Sequence, residues 1–297
     1  METSELLKKV RRIEIKTRGL SNQIFSGEYH SAFKGRGMTF SEVRQYQPGD
    51  DIRLIDWNVT ARFNEPFVKV FEEERELTVM LVVDVSASKD FGTLKQFKKD
   101  LVTELCAVLS FSAIQNNDKI GIIFFSDRIE KFIPPKKGKS HILRIIRELI
   151  EFTPQHSRTS ISEGLQYLTS AIKKRSIAFV ISDFFDNTAS TESGFDTALR
   201  IANKKHDVVA MRIYDEREAT LPNVGLMRLR DAETQETRWV DTSSDSTREE
   251  YRRWWLQREQ QLQGSFARSG VDVVKIATGE SYITPLRTFF KAREQKR

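Results

Sequence analysis

The chain has 297 residues, of which 39% are hydrophobic and 30% charged, with a net charge of +6 and one cysteine. That is enough apolar material for a core larger than one minimal domain, and a lone cysteine excludes a disulfide scaffold. The longest apolar runs have strand length, short of the roughly 20 residues that span a bilayer, and the charged first residues carry no apolar secretory segment; a cytoplasmic protein with no membrane partner is expected.

Residues 4–16 read as a short charged helix. Residues 17–76 hold Gly27, Gly35, Gly37, Pro48 and Gly49 amid dense charge and scattered aromatics, which suits short strands and loops. Residues 1–76 carry 13 Lys+Arg against 13 Asp+Glu, so the positive excess lies downstream. It gathers at Lys131, Lys136, Lys137, Lys139, Arg144 and Arg147, at 173–175, and in the tail from residue 287. Arg44, Asp50, Asp51, Arg53, Asp56 and Arg62 alternate in sign beside Tyr46 and Trp57. They read either as an ion-pair network fixing this segment to the rest of the chain or as a partner-docking surface.

From residue 77 strands and helices alternate. Strands are expected at 77–83, 118–125, 175–181, 207–213 and 271–276, with an edge strand at 128–133. Helices are expected at 94–115, 140–152, 159–173, 190–204, 246–268 and 282–291. Cys106 lies within the apolar first of these and reads as a small core residue. Segments 226–230 and 237–241 flank a polar turn as a hairpin, inserted at about 215–245. The helix over 246–268 takes Ser246 or Thr247 as its cap, and Tyr251, Trp255, Leu262 and Phe266 share one face as a core stripe. Alternating strands and helices imply an α/β fold. We expect a doubly wound, mostly parallel, six-stranded Rossmann-like sheet over 77–291, with the irregular and β segment 1–76 packing on it. A Gly-rich dinucleotide fingerprint and a phosphate-binding loop are missing after the first strand, which disfavours nucleotide chemistry.

The first strand ends in the most informative pattern of the chain. Residues 77–83 form an apolar run that leads into Asp84, Ser86 and Ser88. A run without alternation is buried on both faces, and its carboxyl end is where open α/β sheets bind ligands. A carboxylate and two hydroxyls are hard oxygen donors suited to Mg²⁺. Thr159 precedes a helix and Asp183 follows the strand at 175–181, and in a doubly wound sheet both loops adjoin the loop after the first strand.

With these five positions the chain resembles a von Willebrand factor A-type domain over about 77–291. The resemblance implies a metal-ion-dependent adhesion site in which Asp84, Ser86, Ser88, Thr159 and Asp183 hold Mg²⁺ or Mn²⁺ and recognise a protein without doing chemistry. Phe184 stands where many such domains carry glycine, and Lys89 adds a positive charge directly after Ser88. The N-terminal runs 26–31, 35–38, 42–51, 56–62 and 71–75 resemble the bacterial domain-of-unknown-function family 58. That resemblance implies a non-enzymatic adaptor or co-chaperone that works with a MoxR-class AAA+ ATPase and a client protein. Two other readings stand beside it. Asp84 and Asp183 could hold Mg²⁺ for a hydrolase or phosphatase, with Lys89 as the clamping cation. The basic cluster at 131–147 could bind nucleic acid, although a solvated surface is favoured because no nucleic-acid-binding signature accompanies it.

Overall fold

The computed structural model describes residues 10–14, 16–17, 38–73, 77–86, 98–185, 192–230 and 236–295. They divide into two units, one of residues 33–77 and one of residues 1–32 with 78–297.

In the smaller unit, strands β1 (Met38–Gln45) and β2 (Phe67–Glu73) pair antiparallel, with a register shift between Phe40 and Glu42. A single turn of 3-10 helix (Ile52–Leu54) and helix α1 (Trp57–Phe63) connect them. Aspartates start both elements. The Asp51 carboxylate accepts from the Arg53 N–H, and that of Asp56 accepts from the N–H groups of Asn58 and Val59. Arg44 grips Asp50 with two bonds of 2.8 and 2.6 Å. These charged residues therefore find partners inside their own unit, which accounts for much of the alternating charge seen in the sequence.

The larger unit is a mixed α/β structure with a six-stranded, mostly parallel sheet flanked by helices. Its strands are β3 (Thr78–Asp84), β4 (Lys119–Phe125), β5 (Ile129–Lys136), β6 (Ile177–Ser182), β7 (Asp207–Tyr214) and β10 (Asp272–Ala277). They lie in the order β10-β7-β6-β3-β4-β5, and only β5 runs antiparallel to its neighbour. Counting strands within this sheet, that is the doubly wound order 3-2-1-4-5-6, whose direction reverses between β3 and β6. β3, β4 and β6 show buried side chains on both faces, which is why their sequences are apolar without alternation. The hairpin appears as β8 (Leu226–Arg230) and β9 (Thr237–Asp241).

The helices are α2 (Lys98–Gln115), α3 (Lys139–Glu151), α4 (Ile161–Ala171), α5 (Glu192–Lys205), α6 (Asp245–Ser269) and α7 (Ile283–Gln295). α3 buries Ile142, Ile145, Ile146, Leu149 and Ile150, the spacing of one helical stripe. Trp255 and Phe266 of α6 are buried, and Leu262 packs against the core beside them. The cap of α6 differs from the expected one. Ser244 accepts from the Thr247 N–H, so the helix starts upstream of Ser246. α6 ends at Gly270, in the left-handed conformation that glycine adopts without strain. Cys106 is buried inside α2, where desolvation pushes its thiol up.

Candidate functional site

The site forms where the sheet order reverses. Asp84 ends β3, Ser182 ends the adjacent β6, and Asp183 follows it. The crevice at such a reversal is the place where strands diverge and side chains from two loops can meet. The Ser182 hydroxyl donates to Asp84 Oδ2 at 2.7 Å, and the Ser86 N–H donates to Asp84 Oδ1 at 2.9 Å. The same Ser182 oxygen accepts from the Phe184 N–H at 2.9 Å. Asp183 Oδ1 accepts from the Phe185 N–H at 3.1 Å. Asp84, Ser86, Ser182 and Asp183 are all buried.

Neighbouring loops close around this pair. The Val85 N–H donates to the Phe125 carbonyl at the end of β4, and the Ser160 N–H donates to the Ser126 carbonyl. The second bond holds the loop that carries Thr159, itself buried, against the end of β4. Of the five residues read from the sequence, Asp84 and Ser86 are joined by a hydrogen bond, and Asp183 directly follows Ser182, which bonds Asp84, while its own carboxylate is held by the Phe185 N–H and Lys98. Thr159 sits at the same carboxyl edge of the sheet, and Ser88 lies outside the described residues.

Lys98 was not anticipated. It lies in α2, is 3% exposed, and places its ammonium 3.1 Å from Asp183 Oδ2 and 2.5 Å from Glu218 Oε1. Glu218 belongs to a 3-10 turn (Glu216–Glu218) after β7, where it forms a capping box with Asp215. The Asp215 N–H donates to Glu218 Oε2 at 3.1 Å, and the Thr278 hydroxyl fixes Asp215 at 2.5 Å. A signal for Lys98 was present. It precedes Leu101 and Leu105 by three and seven residues, the spacing of a buried helical face. Its acidic partners lie 85 and 120 residues away, beyond the reach of local pattern.

The electrostatics follow from burial. Desolvation lifts the Asp84 carboxyl to about 7; the Asp183 charge adds to this, and hydrogen bonds from Ser182 and Ser86 oppose it. Burial disfavours the Lys98 ammonium, yet the charges of Asp183 and Glu218 outweigh that and hold its pKa above the ordinary lysine value. Burial raises Glu218. Arg212, also buried and opposite Ser182 in the sheet register, is lowered by desolvation while Asp183 and Glu218 act to support its charge.

Phe184 adopts φ 58°. That conformation costs a side-chain-bearing residue about 1–2 kcal/mol. The ring recovers it by packing: it meets Phe266 edge-on at 5.1 Å and Phe195 at 6.5 Å, in the core behind the site. Phe184, noted in the sequence as standing where many such domains carry glycine, thus takes up a left-handed backbone.

Two carboxylates beside hydroxyls have the donor chemistry for Mg²⁺ or Mn²⁺. Both oxygens of each carboxylate accept from protein donors, and one of these donors is an ammonium. A divalent ion at Asp183 would meet that charge in a low-dielectric site.

The sheet defines a Rossmann-like α/β protein with its polar site at the reversal point. The chain belongs to the family described as "Protein of unknown function DUF58", which matches residues 42–261. An uncharacterized protein of Mycobacterium tuberculosis, Rv1480, is 30% identical over 236 residues, covering 79% of this chain and 73% of that one. Among solved structures, an aerotolerance-related membrane protein of Bacteroides fragilis has a TM-score of 0.51 at 15% identity, covering 74% of this chain and all of that one. BatB of Bacteroides thetaiotaomicron, a conserved hypothetical protein, has a TM-score of 0.48 at 16% identity over the same shares. The expectation of a cytoplasmic protein is corrected here. It rested on missing apolar segments, and a solved protein of the same fold is described as a membrane protein. Among the described residues no helix is long and apolar enough to cross a membrane, which leaves the compartment unassigned.

Proposed function

We propose that the chain is a non-enzymatic protein-interaction module of the von Willebrand factor A type. In this reading it acts as an adaptor or co-chaperone for a MoxR-class AAA+ ATPase and a client protein. The observation that carries the reading is the buried cluster at the sheet's reversal point, where Ser86 and Ser182 bond Asp84 and Asp183 lies next in the chain. Each carboxylate oxygen there is held by a protein donor, which favours a fixed framework for the loops at this edge of the sheet over a group poised to attack a substrate. Family membership supports the N-terminal part of the resemblance. A divalent metal would enter this reading only with Lys98 displaced from Asp183.

The test is capture of the purified MoxR-class ATPase from the same genome by the full chain. Asp84→Ala and Asp183→Asn should each reduce capture at least tenfold, equivalent to about 1.4 kcal/mol, while circular dichroism shows the fold retained. Undiminished capture by both folded variants would remove the site from the interaction.

A further inference from the structure

The acidic pair at the end of β3 and β6 comes with its own positive charge. Lys98 is nearly fully buried, and its ammonium bridges two loops, touching Asp183 after β6 and Glu218 after β7. The bridge is built. The second oxygen of Glu218 is bonded to the Asp215 backbone, and Asp215 is anchored by Thr278, next after β10. Buried Arg212, on the neighbouring strand, is paired with Glu259 instead, which leaves Lys98 as the cation in contact with Asp183 and Glu218 among the described residues. A buried lysine keeps its charge where carboxylates compensate it, and a second cation brought to the same carboxylate loses part of that compensation.

We propose that the Lys98 ammonium is the resident cation of this site, holding Asp183 and Glu218 in place of a divalent metal. The inference rests on reading these residues as the site of the interaction module. It makes that site independent of Mg²⁺ and Mn²⁺. A lysine cannot exchange with solvent, so the charge is permanent and the geometry of the loops after β6 and β7 does not respond to metal supply.

Mn²⁺ titration of the full wild-type chain, followed by the electron paramagnetic resonance of the free ion, tests this directly. The expected result is that added Mn²⁺ stays free into the millimolar range and that neither MgCl₂ nor EDTA moves the thermal midpoint. Stoichiometric Mn²⁺ binding by wild type that Asp183→Asn abolishes would overturn the proposal. A double-mutant cycle gives a second readout. Lys98→Gln and Asp183→Asn should each lower the midpoint, and the double variant should lose less than their sum. Strict additivity would show that the pair is not coupled and would also overturn it. Should Lys98→Gln fail to fold, the wild-type titration still decides. Capture of the ATPase separates this inference from the function reading. Mn²⁺ bound by the chain alone, with capture intact, overturns the inference and leaves the reading standing, and no capture from a chain that binds no Mn²⁺ defeats the reading alone.

Discussion

Burial lifts the Asp84 carboxyl from an ordinary 3.8 to about 7, so between these values the folded chain holds a proton that the unfolded chain has released. The folded pKa is the raised one. The associated stability is therefore fully present below 3.8 and is lost as pH rises through about 7. One proton bound only in the folded state is worth at most about 1.4 kcal/mol per pH unit across that window. Asp84→Asn keeps an acceptor for the Ser86 N–H and cannot titrate. Its stability relative to wild type should rise as pH increases from 4 to 7 and level off above, as read from urea unfolding at each pH. Parallel curves would show that Asp84 does not titrate in this window. His206 works the other way: burial, then Lys205 and Arg175, push it down to about 4, so its contribution is lost as pH falls. The diagnostic quantity is thus the difference between variant and wild type, not the wild-type curve.

At the scale of elements, the edge of the sheet shows how closely β3, β4 and β5 are fitted. β5 carries Pro134 and Pro135 opposite a register shift in β4, a break that also blunts an exposed edge. Gly121 lies at that break. A Cβ there would come 2.8 Å from the Pro135 nitrogen, 2.9 Å from the Ile133 carbonyl oxygen and 2.9 Å from the Met80 sulfur. Two of these are backbone atoms that cannot step aside. Gly121→Ala should therefore cost about 2 kcal/mol through overpacking and lower the thermal midpoint by several degrees. A midpoint within a degree of wild type would mean that the edge is looser than its geometry. The same elements show what was legible in the chain. Strands buried on both faces announce themselves as unbroken apolar runs, so β3, β4 and β6 were readable, as were Asp84 and Asp183 at their ends. Lys98 was not, because what marks it is its partners, and these lie 85 and 120 residues away in the sequence. Only the fold brings carboxylates from two distant loops onto that helix face. Ser182 was hidden for a related reason: its role depends on which strand lies beside β3.

At the scale of the whole molecule, the boundary read from composition falls at residue 76, while contacts group residues 1–32 with the sheet. The sequence leads us to expect the whole of 1–76 to pack on the sheet, and it is the described residues of the N-terminal helix whose contacts with it can be named. The described N-terminal residues are helical, and Val10, Ile13 and Thr17 are buried. Lys16 pairs with Glu104 of α2 at 2.7 Å, and Glu14 pairs with Lys139 of α3 at 2.6 Å. Both pairs have a half-exposed lysine and contribute little. The burial of Val10 and Ile13 contributes more, about 1.5–3 kcal/mol for each side chain. Removing residues 1–32 should thus destabilise the sheet unit by about 3 kcal/mol or more and expose the ends of α2 and α3 to faster hydrogen exchange. Lys16→Ala should change stability by less than about 1 kcal/mol. If the shortened chain melted with wild type, the N-terminal helix would be a passenger and the boundary at residue 76 would be the physical one. If Lys16→Ala alone reproduced the loss, charge and not apolar burial would be what ties the segment down.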